Sequence, residues 1–301
     1  MTSRIRNIIR KGPIGISKAV LTRLTMALDL IRTRKGIEYR SPDDRELFEI
    51  EAALEYLGIS CRDYFVDTER YARFKERFSF DTTYHGGEHG GVFEEKLLEH
   101  FVAWDLLNLE CNPEHWPYID IAGASSPWAK ILRENQFDSY SIDLFVPPQF
   151  SELDYYMQGD ATSIPFPNSS FGSASLQCAY EMFAGDSDIR LIAELARILR
   201  PGGRVVISPL YTHTHACYYQ SPDWYERCDG DQSATRYIRR DTWGIPSSRK
   251  YSAETLVKRV IEPAHATGLI PSVHVLRNKA SVAPGIYLHF LLMLDKPLSQ
   301  S

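Results

Sequence analysis

The chain has 301 residues, 44% hydrophobic and 24% charged, an ordinary globular composition whose length allows one large domain or one domain with substantial additions. Its net charge of −5 is unevenly spread, because residues 1–35 hold nine Lys and Arg against Asp29 alone, leaving an acidic remainder that argues against nucleic acid as a partner. Five scattered cysteines with no Cys-x-x-Cys pair argue against a zinc site or a disulfide framework and fit a reducing cytoplasm, and no apolar run reaches the roughly 20 residues of a membrane span.

Taken in chain order, residues 1–35 predict a helix after Pro13 and Gly15. Leu21, Leu24, Leu28 and Ile31 recur at helical spacing, with Lys18, Arg23, Arg32 and Arg34 nearby. Such a helix suits a surface for anionic lipid at the inner face of a membrane, or a helix packed on its own domain or on a homodimer partner. Lys18 and Arg23 interrupt the apolar stretch and argue against a cleaved signal peptide. Ser41 is expected to cap the next helix, with Pro42 in its first turn. Leu47, Ile50, Leu54 and Leu57 form its stripe, and Gly58 suits its stop. A helix is expected over Tyr64–Phe78 and another over Phe93–Leu107, separated by the glycine-rich stretch 84–91.

From Tyr118 short apolar runs alternate with helical segments, the pattern of a parallel sheet with helices on both faces. Strands are expected near 118–122, 140–144, 155–158, 173–179 and 203–209, with a helix over Asp186–Leu199. A segment rich in Tyr, Trp, His and Arg follows, then a helix capped by Ser252 and running to Thr267. Strands near 271–277 and 285–294 are expected as an antiparallel pair.

Five segments carry the chemistry. The first strand ends in Asp120-Ile121-Ala122-Gly123-Ala124, and Asp143 ends the second. Asp160-Ala161 follows the third, then come Ile164-Pro165-Phe166-Pro167 and Arg197-Ile198-Leu199-Arg200-Pro201-Gly202-Gly203. In this order and spacing, over roughly Tyr118 to Ser208, the chain resembles class I S-adenosylmethionine-dependent methyltransferases of the type 11 kind. The resemblance implies a Rossmann-like sheet with helices on both faces and S-adenosylmethionine as cofactor. A dinucleotide-binding dehydrogenase shares the first two acids and lacks the last two segments. The overall chain also resembles methyltransferases of bacterial glycan assembly.

The family's first turn reads acid-x-Gly-x-Gly, whereas here the two glycine positions are Ala122 and Ala124, with Gly123 between them. Smallness is kept, but alanine resists positive φ. By resemblance, Asp120 orients this loop near the cofactor's amino group, and the loop backbone meets the methionine part. A carboxylate at Asp143, followed by Leu144, can accept both ribose hydroxyls. By resemblance too, Asp160 and the Ala161 amide meet the adenine. The Tyr84–Gly91 stretch resembles the loop that closes over the cofactor, with Tyr84 near the sulfonium. His85 and His89 are four apart among glycines, a poor metal pair, and no metal is expected.

Methyl transfer chiefly demands alignment of the acceptor, and a hydroxyl acceptor gains from a general base. Glu181 after the fourth strand-like run, and His213 and His215 after the fifth, are the candidate bases. Tyr211, Tyr218, Tyr219, Trp224, Tyr225, Tyr237 and Trp243, with Arg236, Arg239 and Arg240, suggest a substrate lid over 210–250 that suits sugar rings and anionic groups. An aromatic satellite core with solvated arginines would leave the same pattern. The expected organisation is a helical N-terminal extension over 1–110 and a methyltransferase domain over 111–301. The expected function is O-methylation of a sugar or glycan-related acceptor. Alternatives are a catalytically silent fold serving a membrane-associated complex, which the alanines motivate, and a nucleotide-sugar oxidoreductase.

Overall fold

The computed structural model describes residues 13–81, 83–89, 91–123, 125–225, 227 and 231–298. In chain order the helices are α1 (Pro13–Arg32), α2 (Asp44–Tyr56), α3 (Thr68–Arg77), α4 (Phe93–Leu106), α5 (Trp128–Glu134), α6 (Ser187–Ile198), α7 (Ala253–Leu256) and α8 (Glu262–Ala266). The strands are β1 (Cys61–Tyr64), β2 (Tyr118–Ile121), β3 (Ser139–Asp143), β4 (Tyr156–Gln158), β5 (Phe171–Gln177), β6 (Leu199–Ser208), β7 (Cys217–Gln220), β8 (Thr235–Ile238), β9 (Ser248–Lys250), β10 (Ile270–Leu276) and β11 (Phe290–Asp295). Contacts divide the chain elsewhere than at residue 110. One unit holds residues 1–41 and 216–249, and the larger holds 42–215 and 250–301.

The larger unit is built on an eight-stranded sheet in the order β1-β10-β11-β6-β5-β2-β3-β4. β6, β5, β2, β3 and β4 run parallel, and β11 is antiparallel to both β6 and β10. Period-two alternation sends side chains to two cores. Val205, Ile207, Leu292 and Leu294 pack with Ile50, Leu54, Leu191 and Leu195 on one face. Val206, Leu291 and Met293 pack with Phe74, Leu98, Phe101 and Trp128 on the other. Burying each such side chain contributes roughly 1.5–3 kcal/mol. Strand order reverses between β2 and β5, so the ends of β2, β3, β4 and β5 face the crevice where ligands of open parallel sheets bind.

Several expectations shift locally. Asp43, not Ser41, caps α2: its side chain accepts from the Glu46 amide while Glu46 accepts from the Asp43 amide. This reciprocal box satisfies two otherwise orphaned donors, where Ser41 would satisfy one. The helix expected from Tyr64 begins at Thr68, because residues 61–64 pair with β10 as an edge strand. The helix capped by Ser252 is broken by a π turn over Val257–Ile261. The antiparallel terminal pair is present as expected, with its last strand starting at Phe290.

The smaller unit joins α1 to a sheet in the order β8-β7-β9. Tyr39 packs near Tyr219 and Tyr237, Arg236 lies 3.9 Å over the Tyr225 ring, and Arg239 stands over Tyr219. The aromatic residues of 216–249 named here thus pair with Tyr39 and with arginines of their own unit. Among the described residues no helix is long and apolar enough to cross a membrane.

Candidate active site

A cavity of about 460 Å³ opens at the carboxyl ends of β2 to β5. Ala122, Asp143, Leu144, Asp160 and Ala161 line it, joined by Gly159, Cys178, Ala179, Met182, Phe183, Ala184 and Ser187. The second group is the part sequence reasoning missed. Apart from Gly159, which follows β4, it comes from the turn after β5 and the start of α6, where the strand was expected to continue to residue 179.

The first turn explains its alanines. Ala122 takes a left-handed φ of 56°, which costs an L-residue roughly 1–2 kcal/mol against glycine and persists only when its surroundings dictate it. Gly123 is required for space. A Cβ there would sit 2.7 Å from Asp120 Oδ2 and 2.9 Å from Ser141 Oγ. Asp120 is therefore tucked beneath the loop. Both of its oxygens are buried and lack a hydrogen-bond partner among the described residues. Burial first, and the Asp143 charge second, push its carboxyl up to about 8, against the pull of the Ser126 hydroxyl. Ala124 lies outside the described residues.

Asp143 ends β3, and its Oδ1 accepts the Phe145 amide at 2.9 Å. Leu144 is exposed at the lip. Asp160 Oδ1 accepts both the Thr162 amide (2.8 Å) and hydroxyl (2.9 Å), which hold its carboxyl below the usual range. Asp160 thus shapes its own turn while lining the cavity. Tyr84 does not line it. The Tyr84 hydroxyl meets His100 Nε2 at 3.0 Å, its ring packs on Phe80, and Asp120 and Ser126 lie near enough to perturb its ionisation. Burial, reinforced by the Lys96 charge, lowers His100 to about 3, so its ring is neutral.

Beyond Cys178 the cavity wall continues into a buried polar cluster. Cys178 has φ 51°, a second strained residue at the site, and its thiol reaches Glu181 Oε1 at 3.6 Å and the Tyr211 hydroxyl at 3.3 Å. Burial, then the charges of Glu181 and Glu99, push the thiol up to about 12, so it remains protonated and donates to Glu181. Glu181 Oε2 is buried and lacks a partner among the described residues. Lys250 Nζ stands 3.5 Å from the Tyr211 ring centre, and the Tyr211 ring stacks toward Tyr287.

Behind these, α4 supplies three charges. Lys96 Nζ donates to both oxygens of Glu99 at 2.9 Å, and the Tyr287 hydroxyl donates to Glu99 at 3.2 Å. Glu95 accepts the Tyr287 and Leu288 amides. Burial works to lower the Lys96 ammonium, and the Glu99 carboxylate overcomes it and raises it.

Of the candidate bases, Glu181 alone falls in this cluster. His213 lines a separate cavity of about 160 Å³ with Glu49, Ile50, Ala53 and Glu254. His215 is half-buried, its ring centre 4.4 Å from that of His213. Among the seven aromatics expected in the lid, Tyr211 alone lies in the larger unit. No sequence signal distinguished Lys96, Glu99, Lys250 or Tyr287, because each stands in an unremarkable local pattern.

Comparison with known proteins fits this geometry. Residues 124–207 match the family model of a methyltransferase domain. No curated protein matches the chain. Solved structures give looser likenesses. A Burkholderia thailandensis 1,6-didemethyltoxoflavin N1-methyltransferase is 17% identical with a TM-score of 0.47, covering 78% of this chain and 92% of its own. The complex of the Haloferax volcanii Trm112 activator with a methyltransferase gives 15%, 0.44, 78% and 97%. A sugar N-methyltransferase from Streptoalloteichus gives 14%, 0.43, 66% and 87%. The family match runs from just after β2 into β6 and takes in Asp143 and Asp160, so residues 124–207 of this chain match a methyltransferase domain.

Proposed function

We propose that this protein transfers a methyl group from S-adenosylmethionine to a hydroxyl of a sugar or glycan-related acceptor, with Glu181 taking the proton. The observation that carries this reading is the buried, unpartnered Oε2 of Glu181, one thiol contact from the cavity wall. A buried carboxylate oxygen without a donor is costly unless a ligand supplies one, and a hydroxyl is such a donor.

The donor set fits the cofactor. The cavity volume lies within the usual range of small-molecule sites, about 300–1,000 Å³. Gly159 and the strained Ala122 keep backbone open to close approach, and Asp120 holds a buried carboxyl without a hydrogen-bond partner among the described residues beneath the loop. By family resemblance, Asp143 would receive the ribose hydroxyls and Asp160 with the Ala161 amide the adenine. When bound, S-adenosylmethionine supplies a methyl carbon on a positively charged sulfonium, already activated toward displacement.

The chain's own task is then orientation and proton removal. Cys178 donates its thiol proton to Oε1 and fixes the Glu181 carboxylate. Glu181 Oε2 takes the acceptor's hydroxyl proton as that oxygen gains its bond to carbon. The faces of Tyr211 and Tyr287 suit the apolar side of a sugar ring. An amine acceptor has less need of a carboxylate base, which favours oxygen.

Incubating the purified chain with methyl-labelled cofactor and a panel of nucleotide-linked and lipid-linked sugars tests this. Label on a sugar oxygen is the expected result. Label on an amine, a quinone or a lipid chain would overturn the acceptor class and leave methyl transfer standing. Cofactor binding without transfer to any acceptor would point to a silent binding fold.

A further inference from the structure

We propose that α1 docks this protein on an anionic lipid surface. The helix is amphipathic in the reverse of the usual sense. Asp29 and Thr33 are buried, at 4% and 2% exposure, whereas Leu21, Leu24, Leu28 and Ile31 are 57–65% exposed. At 3.6 residues per turn those four fall within roughly a quarter of the helix circumference, opposite the Asp29 side. A helix packed on its own unit buries its apolar stripe. This one buries its polar side and presents the stripe outward.

The buried side is anchored within its own unit. The Thr33 hydroxyl donates to Asp29 O at 2.7 Å, and Arg240 donates to the carbonyls of Thr33 (2.8 Å) and Gly36 (3.0 Å). Arg240 also pairs with Glu38, and Ile238 exchanges backbone bonds with Ile37 and Tyr39. These contacts hold the C-terminal end of α1 and fix which face looks out.

Charge selects the occupant. By helical spacing Arg23 and Arg32 flank the stripe on either side, and Arg34 and Lys35 follow it, all exposed. Asp29 is the sole acid in residues 1–35, and it is turned inward. A second copy of this face would set arginine against arginine and bring no further carboxylate from residues 1–35, since Asp29 is already shared between Arg32 (3.8 Å) and Arg227 (4.0 Å). Lipid phosphates supply the opposite sign, and an apolar stripe rimmed by arginines is what seats a helix at the boundary of headgroups and acyl chains. The acidic remainder is repelled by the same surface, which confines the contact to this helix. This inference is independent of the methyl acceptor.

Flotation of the full chain with vesicles tests it, comparing phosphatidylcholine alone with a phosphatidylcholine–phosphatidylglycerol mixture. Partitioning onto the anionic vesicles should be at least about tenfold greater and should fall with added salt. Leu24→Glu with Leu28→Glu should abolish it and leave the melting temperature and S-adenosylhomocysteine affinity unchanged, since both side chains are exposed. Arg23→Gln with Arg32→Gln should weaken it about tenfold or more. Failure to bind either vesicle, or equal binding to both, would overturn the proposal. So would a dimer that the leucine pair dissolves in the absence of vesicle binding, which would assign the face to a second copy.

Discussion

Asp120, Asp143 and Asp160 each stand at or within two residues of the end of a parallel strand, so three consecutive strands deliver the half of the site that we propose for the cofactor. The half that we propose for the acceptor is assembled differently. Lys96 and Glu99 come from α4, Cys178 and Glu181 from the turn after β5, Tyr211 from beyond β6, Lys250 from the end of β9 and Tyr287 from the approach to β11. One half is a property of strand ends, which recur with the fold. The other is a property of how distant segments pack, which is where chemistries on a shared fold diverge. The two halves meet at Cys178, which lines the cavity and touches Glu181.

This contrast can be broken in order of expected effect. Glu181→Gln removes the proposed base while keeping volume. It should lower kcat about 10²–10⁴-fold in methyl-transfer assays. Its S-adenosylhomocysteine affinity in calorimetry should not change, and a parallel loss of affinity would mean that the halves are not separable. Lys96→Met leaves Glu99 buried and unpaired, so it should cost about 3–5 kcal/mol in denaturant unfolding. Adding Glu99→Leu should restore most of that loss, and a double variant as unstable as the single would show that the pair matters for more than charge balance.

The cofactor half should respond in the converse way. Asp143→Ala should weaken S-adenosylhomocysteine by about 2–4 kcal/mol, the worth of charge-assisted bonds to two hydroxyls, with little change in melting temperature. Asp120 gives a pH signature. Its carboxyl rises from the ordinary 3.8 to about 8 on folding, so between those values the folded chain binds more protons than the unfolded one. Its contribution to stability is therefore full below pH 4 and lost as pH rises through about 8. Asp120→Asn should flatten the fall in melting temperature over that window in the cofactor-free protein. An unchanged slope would show that Asp120 is ionised in the loop.

The smallest effect sharpens the turn. Ala122→Gly releases the left-handed strain but adds backbone entropy to the unfolded chain, so stability should change by less than about 1 kcal/mol. Gly123→Ala, one residue on, should lose far more in both stability and cofactor affinity, because its Cβ would strike Asp120. Equal tolerance at both positions would undo the spatial explanation of this loop.

The amino-acid sequence alone determined the parallel core of the sheet and placed three aspartates near the ends of its strands, because each depends on a short local pattern: an apolar run, a turn and an acid at the strand end. It also exposed the apolar stripe of α1, which is a matter of helical period. Tertiary structure decided which way that stripe faces, since Arg227 stands 4.0 Å from the buried Asp29 and Arg240 binds the Thr33 and Gly36 carbonyls, contacts that the period itself does not fix. It decided that Ala122 accepts positive φ while Gly123 is needed for room, a distinction set by where Asp120 and Ser141 lie. And it decided the buried polar cluster around Glu181 and Glu99, whose hydrogen bonds join residues up to 193 positions apart, a separation at which no sequence period or spacing carries information.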